Sequence, residues 1–290
     1  MTTRRIVVGF DRSPDAQVAA GWALDEAART GAAVEFLYAY EWPLWAPAAS
    51  LAPGPAVWPD NETDQAIRTT LRDAVAAARQ THPGVPTHVS IVNNRAALTL
   101  IGRSADAAMI VLGCRGHSAV SNLLGSVSVA VTAHARCPVV VVRGRPGPAA
   151  PVVVGVDDSP SAQLALAFAV EEAAARAVPL RAIRAFAPVT GLWEGTPMDT
   201  RAVTGAERQP FDELIAGWRE KYPMLTVSAE ALVQHPAATL VEAAATAQLL
   251  VVGSRGHGTV TGMLLGSVSQ HLLRHAACTI AVVHDRQSLR

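Results

Sequence analysis

Short runs of apolar residues alternate with longer amphipathic stretches along all 290 residues of the chain. The runs are rich in valine, isoleucine and leucine, which is typical of parallel strands that are buried on both faces. Between them, apolar residues recur at helical spacing, and Ser13-Pro14 is a favourable start for a helix. The pattern therefore predicts an α/β fold in which strands and helices alternate.

The first half of the chain is predicted to contain five strands and four helices. The predicted strands are Arg5–Gly9, Ala33–Tyr40, His88–Val92, Ala108–Gly113 and Pro138–Val142. The predicted helices are Asp15–Thr30, Glu62–Gln80, Ala96–Ala105 and Ser126–Ala135. A long loop is expected over Glu41–Asn61, because five prolines interrupt it.

The same order of elements returns in the second half, so the sequence predicts a tandem repeat. Its strands are Val152–Gly155, Leu180–Phe186, Val227–Val233, Gln248–Gly253 and Thr279–His284. Its helices are Ser161–Ala177, Thr204–Tyr222 (or a shorter helix from Pro210), Ala237–Ala247 and Ser267–His275, with a loop over Ala187–Val203. Gly144–Ala150 (GRPGPAA) has the composition of a linker, which predicts domains over 1–145 and 146–290.

A glycine-rich stretch follows the fourth strand of each half. It reads VVGSRGHGTVTGMLLGSVS over Val251–Ser269 and VLGCRGHSAVSNLLGSVS over Val111–Ser128, where the loop is one residue shorter. Glycines allow positive φ and close approach of the backbone to a ligand, and the first amides of the following helix can donate to phosphate oxygens. G-x-x-G alone is equally typical of an ordinary strand-to-helix loop. Its recurrence at equivalent places favours an anion-binding site.

Asp11 and Asp157 each follow the first strand of a half and precede a Ser-Pro turn. Aspartate favours such turns for local reasons. Alternatively, each carboxylate is a hydrogen-bond acceptor for a bound ligand. The glycine loop is expected at the same edge of the sheet, where open α/β sheets bind ligands, and this convergence favours the functional interpretation.

Composition excludes several functions. Charge is balanced at 24 basic against 24 acidic residues, which gives no electrostatic case for nucleic acid or an anionic membrane. No apolar run reaches transmembrane length and no secretory signal opens the chain, so a cytoplasmic location is expected. The three cysteines lack metal-ligand spacing, and Cys137 and Cys278 are expected to be buried. Lys221 is the only lysine, which excludes a Walker-type phosphate loop.

The pattern G-x-x-G-x9-G-[S/T] after a strand resembles the ATP-binding signature of the universal stress protein family. The second copy matches it fully and the first is one residue short. The resemblance covers nearly the whole chain. It implies two tandem doubly wound domains, each a five-stranded parallel sheet of the adenine nucleotide alpha hydrolase-like type with strand order 3-2-1-4-5. It further implies ATP with Mg²⁺ as ligand, with Asp11 and Asp157 accepting hydrogen bonds from the adenosine part. It also implies a homodimer, and at most slow ATP hydrolysis in a stress-response or signalling role.

The resemblance and the loop chemistry together give the candidate binding residues, with no catalytic residue and no metal ligand among them. Arg115 and Arg255 are either solvated or phosphate partners, and Gly9 and Gly155 let a flat base lie against the backbone. The first-half set is Gly9, Asp11, Leu112, Gly113, Arg115, Gly116, Gly125, Ser126, Val127 and Ser128. The second-half set is Gly155, Asp157, Val252, Gly253, Arg255, Gly256, Gly266, Ser267, Val268 and Ser269.

Two other functions stay open at this point. One is a nucleotide-independent interaction module with one or both sites degenerate, which the shortened first loop supports for the first half. The other is a true ATP hydrolase or phosphotransferase, against which the missing lysine and the lack of a recognisable base near Ser126 or Ser267 argue. Finally, the apolar fifth strands Val139–Val142 and Thr279–Val283 are expected to pair with each other, because exposed apolar edges invite pairing.

Overall fold

The computed structural model describes residues 4–40, 61–116, 124–144, 147, 149–187, 202–256 and 265–285. Strands and helices alternate as the sequence predicts. The strands are β1 (Arg5–Gly9), β2 (Ala33–Tyr40), β3 (Thr87–Asn93), β4 (Met109–Gly113), β5 (Val139–Val142), β6 (Val152–Gly155), β7 (Leu180–Phe186), β8 (Val227–Val233), β9 (Leu249–Gly253) and β10 (Thr279–Val283). The helices are α1 (Pro14–Thr30), α2 (Asn61–Thr81), α3 (Ala96–Arg103), α4 (Ser126–His134), α5 (Pro160–Arg176), α6 (Gly205–Lys221), α7 (Pro236–Ala244) and α8 (Ser267–His275).

Helix α6 settles the one helix start that the sequence left open. It begins at Gly205, so the alternative start at Pro210 is wrong. Thr204 caps the helix: its hydroxyl accepts the Glu207 amide at 3.3 Å, and the Glu207 carboxylate accepts the Thr204 amide at 3.0 Å. This reciprocal cap stabilises the first turn, and the helix continues through Pro210. The loops predicted over Glu41–Asn61 and Ala187–Val203 fall almost entirely outside the described residues.

The chain divides into two compact units, Met1–Val131 and Thr132–Arg290. In the first unit, β1 pairs in parallel with β2 on one side and with β4 on the other, and β2 pairs with β3. In the second unit, β6 pairs in parallel with β7 and β9, β7 with β8, and β9 with β10. The predicted strand order 3-2-1-4-5 is confirmed for the first five strands and recurs as β8-β7-β6-β9-β10 in the second unit.

The fifth strands pair with each other, as predicted. Within the second unit β5 runs antiparallel to β10, with Val141 opposite Ile280 and Val139 opposite Val282. All four side chains are fully buried. This pairing explains why the compact units divide before β5. The domain boundary at 145/146 rests on the composition of the linker and stays a prediction.

Strand order decides where a ligand can bind in each unit. The order reverses between β1 and β4 in the first unit and between β6 and β9 in the second. Parallel neighbours end at the same edge of the sheet, so Gly9 lies near Gly113 and Gly155 near Gly253 at the carboxyl ends. Open α/β sheets bind ligands in the crevice at such a reversal.

Candidate functional site

The two Asp-x-Ser-Pro segments form the first wall of each candidate site. Ser13 caps helix α1, its hydroxyl accepting the Ala16 amide at 3.2 Å, and Pro14 is the first helical residue. The Ser13 amide donates to Asp11 Oδ1 at 3.0 Å. The second unit repeats this turn, where the Ser159 amide donates to Asp157 Oδ1 at 3.0 Å. Both aspartates therefore stabilise the local turn, and each uses one carboxylate oxygen, Oδ1, to do so.

The other carboxylate oxygen of each aspartate faces the glycine loop. A Cβ placed on Gly116 would lie 2.7 Å from Asp11 Oδ2, and one on Gly256 would lie 2.6 Å from Asp157 Oδ2. The capping serine joins the same two segments, because Ser13 Oγ donates to the Arg115 carbonyl at 3.3 Å. The structure thus brings the aspartate and the second glycine of the loop together in both units, as the sequence predicts.

The first glycine of each loop packs against the start of a helix. A Cβ on Gly113 would lie 2.7 Å from the carbonyl carbon of Asp15, and one on Gly253 would lie 2.8 Å from that of Ser161. Among the described glycines, those with a positive φ are Gly31 and Gly144, and neither belongs to a glycine loop. Of the two properties of glycine that the sequence suggested, close approach of the backbone is therefore the one that the described loop residues use. Close packing of backbone on backbone requires glycine at the first position.

Gly9 and Gly155 are also enclosed by neighbouring side chains. A Cβ on Gly9 would lie 2.5 Å from Leu112 Cδ2, and one on Gly155 would lie 2.7 Å from Leu240 Cδ1. These leucines come from the next strand in the first unit and from helix α7 in the second. The glycines thus allow the leucines to approach the strand end, which sequence reasoning did not anticipate.

Helices α4 and α8 begin beside the glycine loops. Gly266 precedes α8 with no side-chain cap, and the first intrahelical bond runs from the Gln270 amide to its carbonyl at 3.0 Å. The amides of Ser267, Val268 and Ser269 therefore have no acceptor within the helix and can donate to an anion. The Ser269 hydroxyl donates to the Gly253 carbonyl at 2.7 Å, so it fixes the helix start to the strand end. Ser128 does the same with Gly113 at 2.9 Å.

All ten candidate residues of the first half line one cavity of about 300 Å³ in the first unit. It lies at the carboxyl ends of β1, β2 and β4 and reaches the start of α4. Eight further residues complete its wall, and sequence reasoning did not find them. They are Phe10, Ser13, Ala16, Leu37, Tyr38, Ala39, Ala96 and Leu100.

The second half brings its candidate residues together through matching contacts. Gly256 meets Asp157, Gly266 lies against the Arg255 backbone, and Ser269 bonds to Gly253. A Cβ on Gly155 would also lie 3.4 Å from Val252 Cγ1. The arrangement matches the first half, position by position.

The loop arginines of the two halves have different surroundings. Arg115 Nε lies 3.0 Å from Asp15 Oδ2, which also accepts the Arg115 amide and the Cys114 thiol. Burial acts to raise the pKa of Asp15, but the bonds from Cys114 and Arg115 outweigh it, so the pKa lies below its ordinary value. Ser161 replaces Asp15 in the second half and donates to the Arg255 carbonyl at 2.5 Å. A carboxylate thus neutralises the loop arginine at this position in the first site only.

Within the described ranges, no group of three or more His, Cys, Asp or Glu residues could hold a metal ion. Cys137 and Cys278 are buried, as predicted, and burial raises the pKa of Cys278 to about 11. No helix among the described residues is both long enough and apolar enough to cross a membrane.

Comparisons with known proteins agree with this geometry. The model of the universal stress protein family matches the chain twice, over residues 2–143 and 149–284. A universal stress protein of Mycobacterium tuberculosis is 37% identical over 97% of this chain and 96% of its own length. One from Mycolicibacterium smegmatis is 34% identical over 97% of each chain.

A solved structure supports the same fold. The crystal structure of a universal stress protein from Archaeoglobus fulgidus covers 97% of this chain and 96% of its own, with a TM-score of 0.67 and 20% identity. The two ranges matched by the family model each contain one of the glycine loops. The chain belongs to the universal stress protein family and carries two of its domains in tandem.

Proposed function

We propose that the chain binds ATP at the glycine-loop sites of its two halves and acts in a nucleotide-dependent stress-response or signalling role. The observation that carries the proposal is the single cavity of about 300 Å³ lined by every candidate residue of the first half. Its volume is at the lower end of the range of about 300–1,000 Å³ for small-molecule sites. Apolar walls from Leu37 and Leu100 suit a base, and the first amides of α4 suit phosphates.

The residues present fit a nucleotide that brings its own magnesium ion. Neither glycine loop contains a lysine, so the groups that each loop and its helix offer to the 5′ phosphates are amides, hydroxyls and the loop arginine. Mg²⁺ is commonly held through substrate phosphates and a few protein oxygens rather than by a full protein cage. ATP would thus supply the charge that Mg²⁺ needs, and the protein would supply the fixed dipoles.

The proposal is one of binding, with at most slow hydrolysis. Ser128 and Ser269 bond to strand carbonyls, and the D-x-S-P aspartates bond to turn amides. Those bonds orient the loop rather than activate a nucleophile. We further propose a cytoplasmic homodimer, on the resemblance to the family alone.

A nucleotide-independent interaction module is the second candidate for the first half. Its loop is one residue shorter than that of the second half, and Asp15 neutralises Arg115. Both features weaken the attraction for polyphosphate. The second half has the longer loop and Ser161 in place of Asp15, so we expect ATP to bind more tightly there.

Mass spectrometry of small molecules released from denatured protein tests the proposal. The protein is purified without added nucleotide, and we expect ATP or ADP in the wild type. The matched variants are Asp11→Ala and Asp157→Ala, of which Asp157→Ala should lose more nucleotide. If folded wild-type protein neither carries nor takes up nucleotide, the interaction module is the better description.

A further inference from the structure

The two sites differ at two equivalent positions beside the expected nucleoside end, one after the aspartate and one on the neighbouring strand. Arg12 follows Asp11 in the first half, and Asp158 follows Asp157 in the second. On strand β2 the first half has Tyr38, where strand β7 of the second half has Arg184. Each pair of side chains is in contact, but the charges are distributed differently.

Arg12 is a cation without an acidic partner among the described residues. Its backbone has φ of 71°, a left-handed conformation that a side chain of this size rarely adopts. Its guanidinium carbon lies 5.8 Å from the centre of the Tyr38 ring, and Tyr38 lines the cavity. Its Nε is buried and has no hydrogen-bond acceptor in the part of the chain that the structure describes. A strained cation with an unsatisfied donor beside a cavity is typical of a ligand-binding position.

In the second half, the two residues at the equivalent positions, Arg184 and Asp158, form an ion pair with each other. Arg184 donates two hydrogen bonds to the Asp158 carboxylate, from Nη1 to Oδ1 at 2.6 Å and from Nη2 to Oδ2 at 2.5 Å. The guanidinium of Arg184 also lies over the Phe186 ring at 5.1 Å. Both charges are thus satisfied before a ligand arrives.

The position of Arg12 indicates which part of a nucleotide it meets. The first cavity extends from the amides of α4 to the end of β2 at Leu37–Ala39. If phosphates of the 5′ chain lie on the amides, as the proposed function requires, the nucleoside lies towards β2 and therefore towards Arg12. In dinucleotide-binding sheets, an arginine near the ribose accommodates a phosphate on that sugar, whereas an acidic residue bonds the free hydroxyl. Guanidinium also suits the geometry of phosphate.

We propose that the first site selects adenine nucleotides that carry an additional phosphate on the 2′ or 3′ oxygen of the ribose. The second site, with Asp158 in place of Arg12, takes nucleotides with an unmodified ribose. This inference rests on the proposed function, because it assumes that the 5′ phosphates lie at the glycine loop. It gives the two halves of one chain different ligands.

Calorimetric titration of the full chain with isomeric probes tests the inference. ADP, adenosine 2′,5′-bisphosphate and adenosine 3′,5′-bisphosphate share the base, the sugar and the number of phosphates, and differ in where the second phosphate is attached. The titrations use the Asp157→Ala protein, so that the first site is measured. We expect one of the bisphosphates to bind at least about tenfold more tightly than ADP, because it gains a charge-assisted contact with Arg12. The preferred isomer identifies the ribose position.

Variants at Arg12 assign the preference to this residue. Arg12→Asn removes the charge and introduces a residue that tolerates a left-handed backbone. The ratio of the affinity for the preferred bisphosphate to the affinity for ADP should therefore fall to about one. Arg12→Lys should keep part of it. Arg208→Gln is the control, since this exposed arginine lies on helix α6 of the second unit and should leave the preference unchanged.

Three outcomes would overturn the inference: equal affinity for the three probes, a preference that survives Arg12→Asn, or no binding of any probe to the first site. The proposed function is judged separately. Titration of the Asp11→Ala protein with ADP reports the second site, and binding there would uphold nucleotide binding even if the ribose preference failed.

Discussion

Single glycines in these loops have separate roles, and the structure distinguishes them. A Cβ on Gly253 would lie 2.8 Å from the Ser161 carbonyl carbon and 2.9 Å from the Ala162 nitrogen, which are rigid backbone atoms. A Cβ on Gly266 would have its nearest neighbour, Arg255 Cα, at 3.4 Å, which is ordinary contact. Gly253 is therefore required for folding, whereas Gly266 leaves room for a side chain that would obstruct a ligand.

Alanine substitutions test this distinction. We expect Gly253→Ala to lower the free energy of unfolding by about 1–3 kcal/mol, because the helix start must shift away from the strand end. Gly266→Ala is the matched control and should lower it by less than about 1 kcal/mol, the loss of a favourable residue before the helix. Urea unfolding followed by circular dichroism measures both. Equal losses would contradict the assignment.

Residues near the motifs in sequence were predictable, and residues brought in by tertiary packing were not. Asp11 and Gly116 were found because each belongs to a local pattern with a physical use. Asp15 was missed, since its contact with Arg115 depends on how helix α1 lies on strand β4, 100 residues later. Tyr38 was missed for the same reason, because nothing local to β2 marks its last residues as a cavity wall.

Strand β10 joins the two fifth strands to the rest of the second unit, since it pairs with β5 on one side and β9 on the other. Val282 is fully buried there, opposite Val139. Val282→Asp would bury a charge without a partner, so we expect the free energy of unfolding to fall by more than about 3 kcal/mol. Val89→Asp on strand β3 is the control, because Val89 is 40% exposed. Similar denaturant midpoints for both variants would contradict this account of the strand pairing.

His284 follows β10, and its two ring nitrogens face two backbone carbonyls, to one of which the neutral ring can donate. Its Nε2 lies 2.8 Å from the Thr132 oxygen, at the end of helix α4, and its Nδ1 lies 3.1 Å from the Cys137 oxygen. Burial lowers the pKa of His284 below its ordinary value, and the positive charge of Arg255 also lowers it. The two backbone carbonyls raise the pKa but do not outweigh burial. The folded chain therefore keeps this ring neutral at a pH where the unfolded chain protonates it.

That difference predicts a pH dependence of stability. Above the ordinary histidine pKa of about 6.5 the ring is neutral in both states, and below it the unfolded state binds an extra proton. The free energy of unfolding should therefore fall as the pH drops from about 7.5 to 5.5, and His284→Gln should show less of that fall. His88→Gln, at an exposed position on β3, is the control and should behave like the wild type. An identical slope in all three proteins would contradict the assignment.

At the scale of the whole molecule, repetition made the fold predictable. The two halves present the same order of strands, turns and glycine loops, so each half checks the interpretation of the other. Every predicted strand and helix is present within the described residues, with shifts at some ends. The division into compact units was less predictable, because β5 pairs with a strand more than 130 residues later.

Assembly remains a prediction at this scale. The fifth strands, whose apolar edges argued for association, pair within the chain. Among the described strands, β3 and β8 are the ones paired on one side, so a second chain could extend the sheet there. We expect light scattering to give twice the chain mass of 30.3 kDa. A mass of one chain at all protein concentrations would rule out the homodimer.

The central claim is that the amides at the start of α8 hold nucleotide phosphates. Titration calorimetry of the wild type with ATP and Mg²⁺, compared with Gly266→Val, tests it most directly, because a side chain at Gly266 fits the fold and obstructs the approach of phosphate. Asp11→Ala in both proteins restricts the measurement to the second site. We expect saturable binding without the Gly266 substitution and at least about a tenfold loss of affinity with it. Unchanged affinity in folded Gly266→Val protein would contradict the account.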